Sequence, residues 1–591
     1  MFPDVNKLLA LKRPDRVAIA PSGKVIAYTQ LVSNLEKNQF DRCCWCYNTD
    51  TLEQQQIVDH GDIRQLHFLD DTRLVILWDD GRFDGSYLLY LIHTSGAESN
   101  PILLSHKHVS MFTPFRSGVL YTCTNNTQLE YKVVTKSYLD KPDYTLKSQA
   151  RIINIVSSKP SALHAVVTLK QASNPSLIAR VELTEQHGLT LIPIHSPPAH
   201  QLIAKAISEC GQKVYAQGCN NNARYAQKDT WEITHDQASC LSEHIDRDTE
   251  IIGHTTNGLL IRFVDGLTAK LGWLDKHHIT LLNINGLSSR IDAELTDNAL
   301  VFIGQSAKHF PDVFCFNLNK QKVINVSGNH TQLTGLDFGL AKGFNWCSED
   351  GLSLQGVLRF SKNQSNLAQA PVAVIIHGGP KDFSELQLFS DHHWYAPYLP
   401  LLAAGYVIFE PNYRGSIGQG QAFAQINVDH LGRLDMQDIC SGIKALHKQY
   451  AIDLKQVIGI GWSQGGYICA YTGCHSNAFT KVIIGAAISD WHTYQAVTDI
   501  PDFVSDYLPS NTARLEASVI NSPPTHKPDM LIIHGTNDFR VPIQCAQQLS
   551  EYAFKNKITH RSLFIEGMKH RVNKPSELKS IWTNSLEWII N

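Results

Sequence analysis

The sequence predicts two domains of different class, an all-β N-terminal domain over residues 1–335 and an α/β C-terminal domain over residues 336–591. Three observations predict this. A chain of 591 residues is too long for a single hydrophobic core. Its first half is a series of short β-type runs separated by turn residues. Its second half alternates apolar strand-length runs with helical patterns.

The β-type half runs from about Arg16 to about Ser327. Arg16 to Ala20, the turn Pro21-Ser22-Gly23-Lys24 and Val25 to Tyr28 form one unit; Arg73 to Trp78 before Asp79-Asp80-Gly81, Gly118 to Tyr121, Gly258 to Phe263 and Ala299 to Ile303 repeat it. Runs of this length bounded by Gly, Asn and Asp are hairpin signals. Many short strands at a loose period favour a β-propeller, whose four-stranded blades bury their faces against one another. About seven blades fit the length. A pair of β-sandwiches is the alternative. A short helix at about Val5 to Leu11 leads the domain.

In the second half, Val372 to Ile376, Tyr406 to Phe409, Val457 to Ile460, Val482 to Ile484, Met530 to Ile533 and Ser562 to Ile565 read as buried strands. Asp435 to Tyr450 is helical, with Ile439, Ile443, Leu446 and Tyr450 on one face; further helices follow Gly465, start at Ile543 and run to Ile590. Apolar strands alternating with helices predict a parallel sheet covered on both faces. Its active site lies at the carboxyl ends of the strands.

Chemistry converges on those strand ends. Gly461-Trp462-Ser463-Gln464-Gly465 follows the strand ending at Ile460 and opens a helix, which is the setting of the G-x-S-x-G nucleophile elbow of α/β-hydrolases. Ser463 is the candidate nucleophile. A hydroxyl needs a base, and in this fold the acid and then the histidine follow the serine. Asp538 lies just past the strand Met530 to Ile533, and His570 follows the strand Ser562 to Ile565 and a turn. Asp490 is the competing acid. His534 sits at a strand end without reach, and His560 precedes its strand at the wrong edge of the sheet. The Gln464 N–H is one oxyanion donor, and the loop His377-Gly378-Gly379-Pro380 after Ile376 is the expected source of the second.

Other classes are disfavoured. Hydrophobic residues make up 43% and charged residues 18%, with a formal charge of −3 and no basic stripe, so nucleic acid is not an expected partner. No run approaches the roughly 18–20 apolar residues that span a bilayer, and the stretch from Met1 to Ile19 carries Asp4, Lys7, Lys12, Arg13 and Asp15. The 13 cysteines are scattered without a frame, which predicts reduced thiols and a cytoplasmic protein. No metal is expected, since Cys43-Cys44-Trp45-Cys46 lacks a second ligand pair and His392-His393 a partner pattern. No cofactor is expected either: no Gly-Lys-Ser/Thr follows the His377 loop, and Arg414 to Gly420 lacks dinucleotide spacing.

Taken together, His377-Gly378-Gly379-Pro380, Asn412-Tyr413-Arg414-Gly415-Ser416-Ile417-Gly418, Gly461 to Gly466, His534 to Asp538 and His570 resemble the prolyl oligopeptidase family, and the His-Gly-Gly-Pro loop is most similar to its acylaminoacyl-peptidase-like branch. The first half is similar in texture only. The resemblance implies a triad of Ser463, Asp538 and His570 with Gly379 and Gln464 as oxyanion donors. It further implies that Arg540 binds a substrate carbonyl and that Trp491, Tyr494 and Val541 line an apolar specificity pocket. Without the resemblance, Arg540 reads as a surface ion pair and the three others as core. The paired glutamates of the dipeptidyl-peptidase branch are missing, since no Glu-Glu occurs. The expectation is a serine oligopeptidase acting on short peptides through an acyl-enzyme, with association into a homo-oligomer left open. The alternatives are an esterase or acyltransferase on the same scaffold and a catalytically silent propeller that binds partners.

Overall fold

The computed structural model describes residues 5–590 apart from 83–84, 95–99, 124–125, 135–143, 149, 158–163, 171–175, 185–187, 196–201, 220, 222, 236, 277 and 334–335. The expected boundary at residue 335 lies outside the described residues. Residues 13–325 form seven four-stranded antiparallel sheets, spanning 13–58, 62–103, 109–147, 151–195, 203–240, 249–281 and 293–325. These are the blades of a seven-bladed propeller. Their inner strands are buried on both faces, as in Arg73–Asp79, where Leu74 to Trp78 are all buried. Such strands need apolar residues at consecutive positions, which is why the runs are legible in the sequence.

The ring closes by packing and side-chain hydrogen bonds. Val17, Ile19, Ile26 and Tyr28 of the first blade share one apolar cluster with Val301, Ile303 and Val313 of the seventh. The Val17 and Ile19 amides donate to Asp292 Oδ2 at 3.0 Å and Glu294 Oε2 at 2.9 Å.

The C-terminal sheet has eight strands: β1 (Leu340–Cys347), β2 (Ser353–Phe360), β3 (Val372–Ile376), β4 (Val407–Asn412), β5 (Val457–Trp462), β6 (Lys481–Gly485), β7 (Asp529–Gly535) and β8 (His560–Ile565), in the order β1-β2-β4-β3-β5-β6-β7-β8. From β4 to β8 neighbours are parallel. The first two strands join antiparallel, an addition to the parallel sheet that the sequence predicts. Alternation sorts the side chains into two layers. Val372, Val374 and Ile376 of β3 face one core, with Ile439, Ile443 and Leu446 of a helix at Arg433–Tyr450. Ala373 and Ile375 face the other, with Leu578, Ile581 and Trp582 of the last helix, Pro575–Ile590. Leu8 and Leu9 of the leading helix, Val5–Leu9, join this second core, so the start of the chain packs on the α/β domain.

Candidate active site

Ser463 sits between β5 and the helix Gln464–His475 with φ 59° and ψ −124°, a conformation that costs a non-glycine residue about 1–3 kcal/mol. The neighbouring glycines make the turn sterically feasible. A Cβ on Gly461 would strike the Gly465 carbonyl, and one on Gly465 would strike the Ile376 and His377 carbonyls. The serine hydroxyl is thereby lifted above the carboxyl edge of the sheet.

His570 Nε2 lies 3.0 Å from Ser463 Oγ, and His570 Nδ1 lies 2.7 Å from Asp538 Oδ2. Asp538 is buried, and its Oδ1 accepts the Arg540 and Val541 amides, both at 2.9 Å. The structure thus links three side chains from the ends of β5, β7 and β8 into one relay. Their loops are tied together. The Asn537 amide donates to the Met568 carbonyl at 3.0 Å and the Gly567 amide to Thr536 Oγ1 at 2.8 Å. Asp490 is occupied elsewhere as the cap of a short helix, Trp491–Val497, accepting from the Thr493 amide at 2.7 Å. His534 is buried and held by the Val541 carbonyl at 2.7 Å, and burial keeps its ring below the usual histidine range.

The His377–Pro380 loop reaches the nucleophile. A Cβ on Gly378 would lie 3.7 Å from Ser463 Cβ. Gly379 adopts φ +128°, which only glycine takes without strain. Among the described residues, neither the Gln464 nor the Gly379 N–H donates to a protein acceptor. Both amides are unengaged. Tyr413 Oη donates to the carbonyls of His377 at 3.1 Å and Gly378 at 3.3 Å, and stacks on the His377 ring. Burial pushes His377 down to about 4, so its imidazole is neutral.

Trp491, Tyr494 and Val541 are buried in the same core cluster, where Trp491 packs edge-on against Tyr467 and Tyr494. Arg540 turns to the surface, with Nε 2.6 Å from Asp499 Oδ1. Trp462 was not singled out from the sequence, yet its Nε1 donates to the His570 carbonyl at 2.8 Å and fixes the histidine loop to the elbow. A tryptophan at the variable position of G-x-S-x-G is the signal that could have found it. The Gln464 side chain is also unexpected: it is buried, and neither carboxamide atom has a partner. A cleft of about 680 Å³ lies between the first two blades and the α/β domain, bordered by Phe40, Arg42, Asp62, Trp394, Val572 and Asn573. Its last two residues follow His570 closely. No cluster of metal-ligating side chains occurs among the described residues, and no described helix is long and apolar enough to cross a membrane.

Fold and site together define a propeller-bearing α/β hydrolase. Residues 393–591 match the model of the prolyl oligopeptidase family. It is 28% identical over 211 residues to the uncharacterized peptidase YuxL of Bacillus subtilis, covering 34% of this chain and 31% of that one. It is 23% identical over 252 residues to the acylamino-acid-releasing enzyme of Sus scrofa, covering 40% and 34%. The matches therefore span about a third of these relatives' length. Among solved structures, an acylaminoacyl peptidase in complex with Z-Gly-Gly-Phe-chloromethyl ketone superposes with a TM-score of 0.84 at 14% identity, covering 100% of this chain and 97% of that chain. Uncomplexed acylaminoacyl peptidase of Pyrococcus horikoshii gives 0.82 at 15% identity, with coverage of 100% and 97%. At these identities the likeness concerns the fold.

Proposed function

We propose that the protein is a serine oligopeptidase that hydrolyses short peptides, acylated at the amino end or free, through an acyl-enzyme on Ser463. The observation that carries this reading is the relay of 3.0 Å and 2.7 Å from Ser463 through His570 to Asp538, with the Gln464 and Gly379 amides unengaged. In the proposed cycle His570 Nε2 takes the Ser463 proton as Oγ attacks the peptide carbonyl, while Asp538 holds Nδ1–H and stabilises the imidazolium. The Gln464 and Gly379 amides receive the oxyanion. The proton then passes to the leaving amine, and water repeats the sequence on the ester.

The cleft of about 680 Å³ between the first two blades and the α/β domain, whose border includes Val572 and Asn573 just after His570, supports a preference for short substrates. Trp491, Tyr494 and Val541 are assigned to an apolar wall for the residue before the scissile bond, and Arg540 would exchange Asp499 for a substrate carbonyl. We place the domain boundary at residue 335 and the protein in the cytoplasm, a placement that thirteen free cysteines support. The test is Ser463→Ala, purified and folded, against peptide anilides and p-nitrophenyl esters. Loss of anilide hydrolysis is expected. Retained hydrolysis refutes the reading, and a wild type that cleaves esters alone makes it an esterase.

A further inference from the structure

The oxyanion loop is fastened from two sides, and one of them is the other domain. On the α/β side, Tyr413 holds the His377 and Gly378 carbonyls, and Asn412 holds Ser384, accepting its amide at 2.6 Å and donating to its carbonyl at 3.1 Å. Between these anchors lie Gly379, Pro380, Lys381, Asp382 and Phe383. From the α/β side, the Ile417 amide reaches the Asp382 carbonyl at 3.1 Å. The charged side chains of this stretch turn to the propeller. Lys381 Nζ donates to Asp248 Oδ1 at 3.0 Å and to the Ala226 carbonyl at 2.6 Å. Asp382 pairs with Arg290, which also reaches Asp391 at 2.8 Å and covers the Phe383 ring at 4.5 Å from its centroid. Asp248 and Arg290 occupy the connections into the sixth and seventh blades.

The polarity is reversed between the two pairs. The α/β domain offers a cation and then an anion, and the propeller answers with an anion and then a cation. A loop slipped by one residue would set like charges against each other, so the arrangement fixes register as well as distance. Partly exposed ion pairs contribute little to stability, which directs attention to what they position. That is Gly379, two residues before Lys381, whose amide is an oxyanion donor in the proposed reading. Beyond these pairs, the Leu386 and Leu388 amides donate to the Leu267 and Ser306 carbonyls at 2.9 and 2.7 Å, so the whole segment is seated on the propeller.

We propose that Lys381 and Asp382 are positioning residues through which Asp248 and Arg290 of the propeller hold the Gly379 amide in the oxyanion hole. The inference rests on the reading of Ser463 as nucleophile.

The test is charge exchange. Asp248→Lys and Lys381→Asp should each lower kcat on a peptide anilide by about tenfold to a hundredfold, up to the loss from deleting one oxyanion donor. The double variant should recover most of it, and Arg290→Asp with Asp382→Arg forms the second cycle. A peptidyl aldehyde, which binds Ser463 as a tetrahedral oxyanion, should weaken in parallel with kcat/KM. The matching peptide carboxamide, which forms no adduct, should keep its affinity, and the pH–rate profile should keep its shape. Should a reversal fail to fold, Asp248→Asn and Lys381→Met give the same readings. Single variants within twofold of wild type, equal weakening of both ligands, or a double variant no better than the singles overturns the inference. Ser463→Ala separates the failures: if it retains hydrolysis, the site reading falls too, and if it is inactive while the charge variants behave as wild type, this inference alone falls.

Discussion

Replacing Asp538 with asparagine tests the relay with almost no change of shape. The structure dictates how the new amide lies. Oδ1 of residue 538 accepts two backbone amides at 2.9 Å, from Arg540 and Val541, and an NH₂ group there would face two donors. The asparagine oxygen therefore keeps that side, and its NH₂ replaces Oδ2, 2.7 Å from His570 Nδ1. Nδ1 must then accept, which puts the ring proton on Nε2, pointing at Ser463 Oγ. In that tautomer the imidazole cannot take the serine proton. The expected loss in kcat at neutral pH is about 10⁴, the size seen when a triad acid is so replaced, or about 5 kcal/mol in activation free energy. Binding should change little, because position 538 is buried beneath the histidine. The assay is steady-state hydrolysis of a peptide anilide, with a competitive peptide amide to follow binding and thermal melting to verify the fold. A folded Asp538→Asn enzyme within tenfold of wild type would refute the assignment of Asp538, and a matching loss on replacing Asp490 would point to that residue instead.

Three further outcomes follow from named contacts. Trp462→Phe keeps the aromatic packing against Trp394 but removes the 2.8 Å bond to the His570 carbonyl; kcat should fall about fivefold at nearly constant KM, since about 1 kcal/mol of restraint on the histidine loop is lost. Gln464→Met removes two buried polar atoms without partners and should raise stability by about 1 kcal/mol, seen as a higher denaturation midpoint; a lower midpoint means that the carboxamide is satisfied in solution. Burial, reinforced by Asp391, pushes Glu385 up to about 7 from its ordinary 4.5. The folded state then holds a proton that the unfolded state releases, so stability falls as pH rises from about 4.5 to about 7. Burial also pushes Asp435 up to about 7, adding in the same direction. Glu385→Gln should flatten part of that decline in a melting series, and an unchanged slope contradicts the assignment.

The sequence discloses what is local and periodic. Val372–Ile376 is legible because every position is buried, and the propeller strands because neighbouring blades bury both faces. β1 was missed because only Phe344 and Trp346 of its eight residues are buried, which leaves no apolar run at the sheet edge. The helices Trp491–Val497, Asp502–Tyr507 and Asn511–Ala517 are too short, at six or seven residues, for a 3.6-residue period to emerge. Ser463, Asp538 and His570 stand out since each directly follows a strand that can be read by itself. Arg540 shows the limit of reading by motif: its backbone amide serves Asp538, while its guanidinium goes to Asp499, 41 residues away. The propeller's partners for Lys381 and Asp382 lie 133 and 92 residues earlier, in blade connections with no local signature. Contacts of that kind appear only once the two domains are folded together.

The most direct measurement is covalent. A fluorophosphonate reacts with a serine only where a base and oxyanion donors activate it, so the intact protein should gain one phosphonyl group, mapped by peptide mass spectrometry to Ser463, with hydrolysis lost in step. A label on another residue, or full hydrolytic activity in protein fully modified at Ser463, would contradict the account.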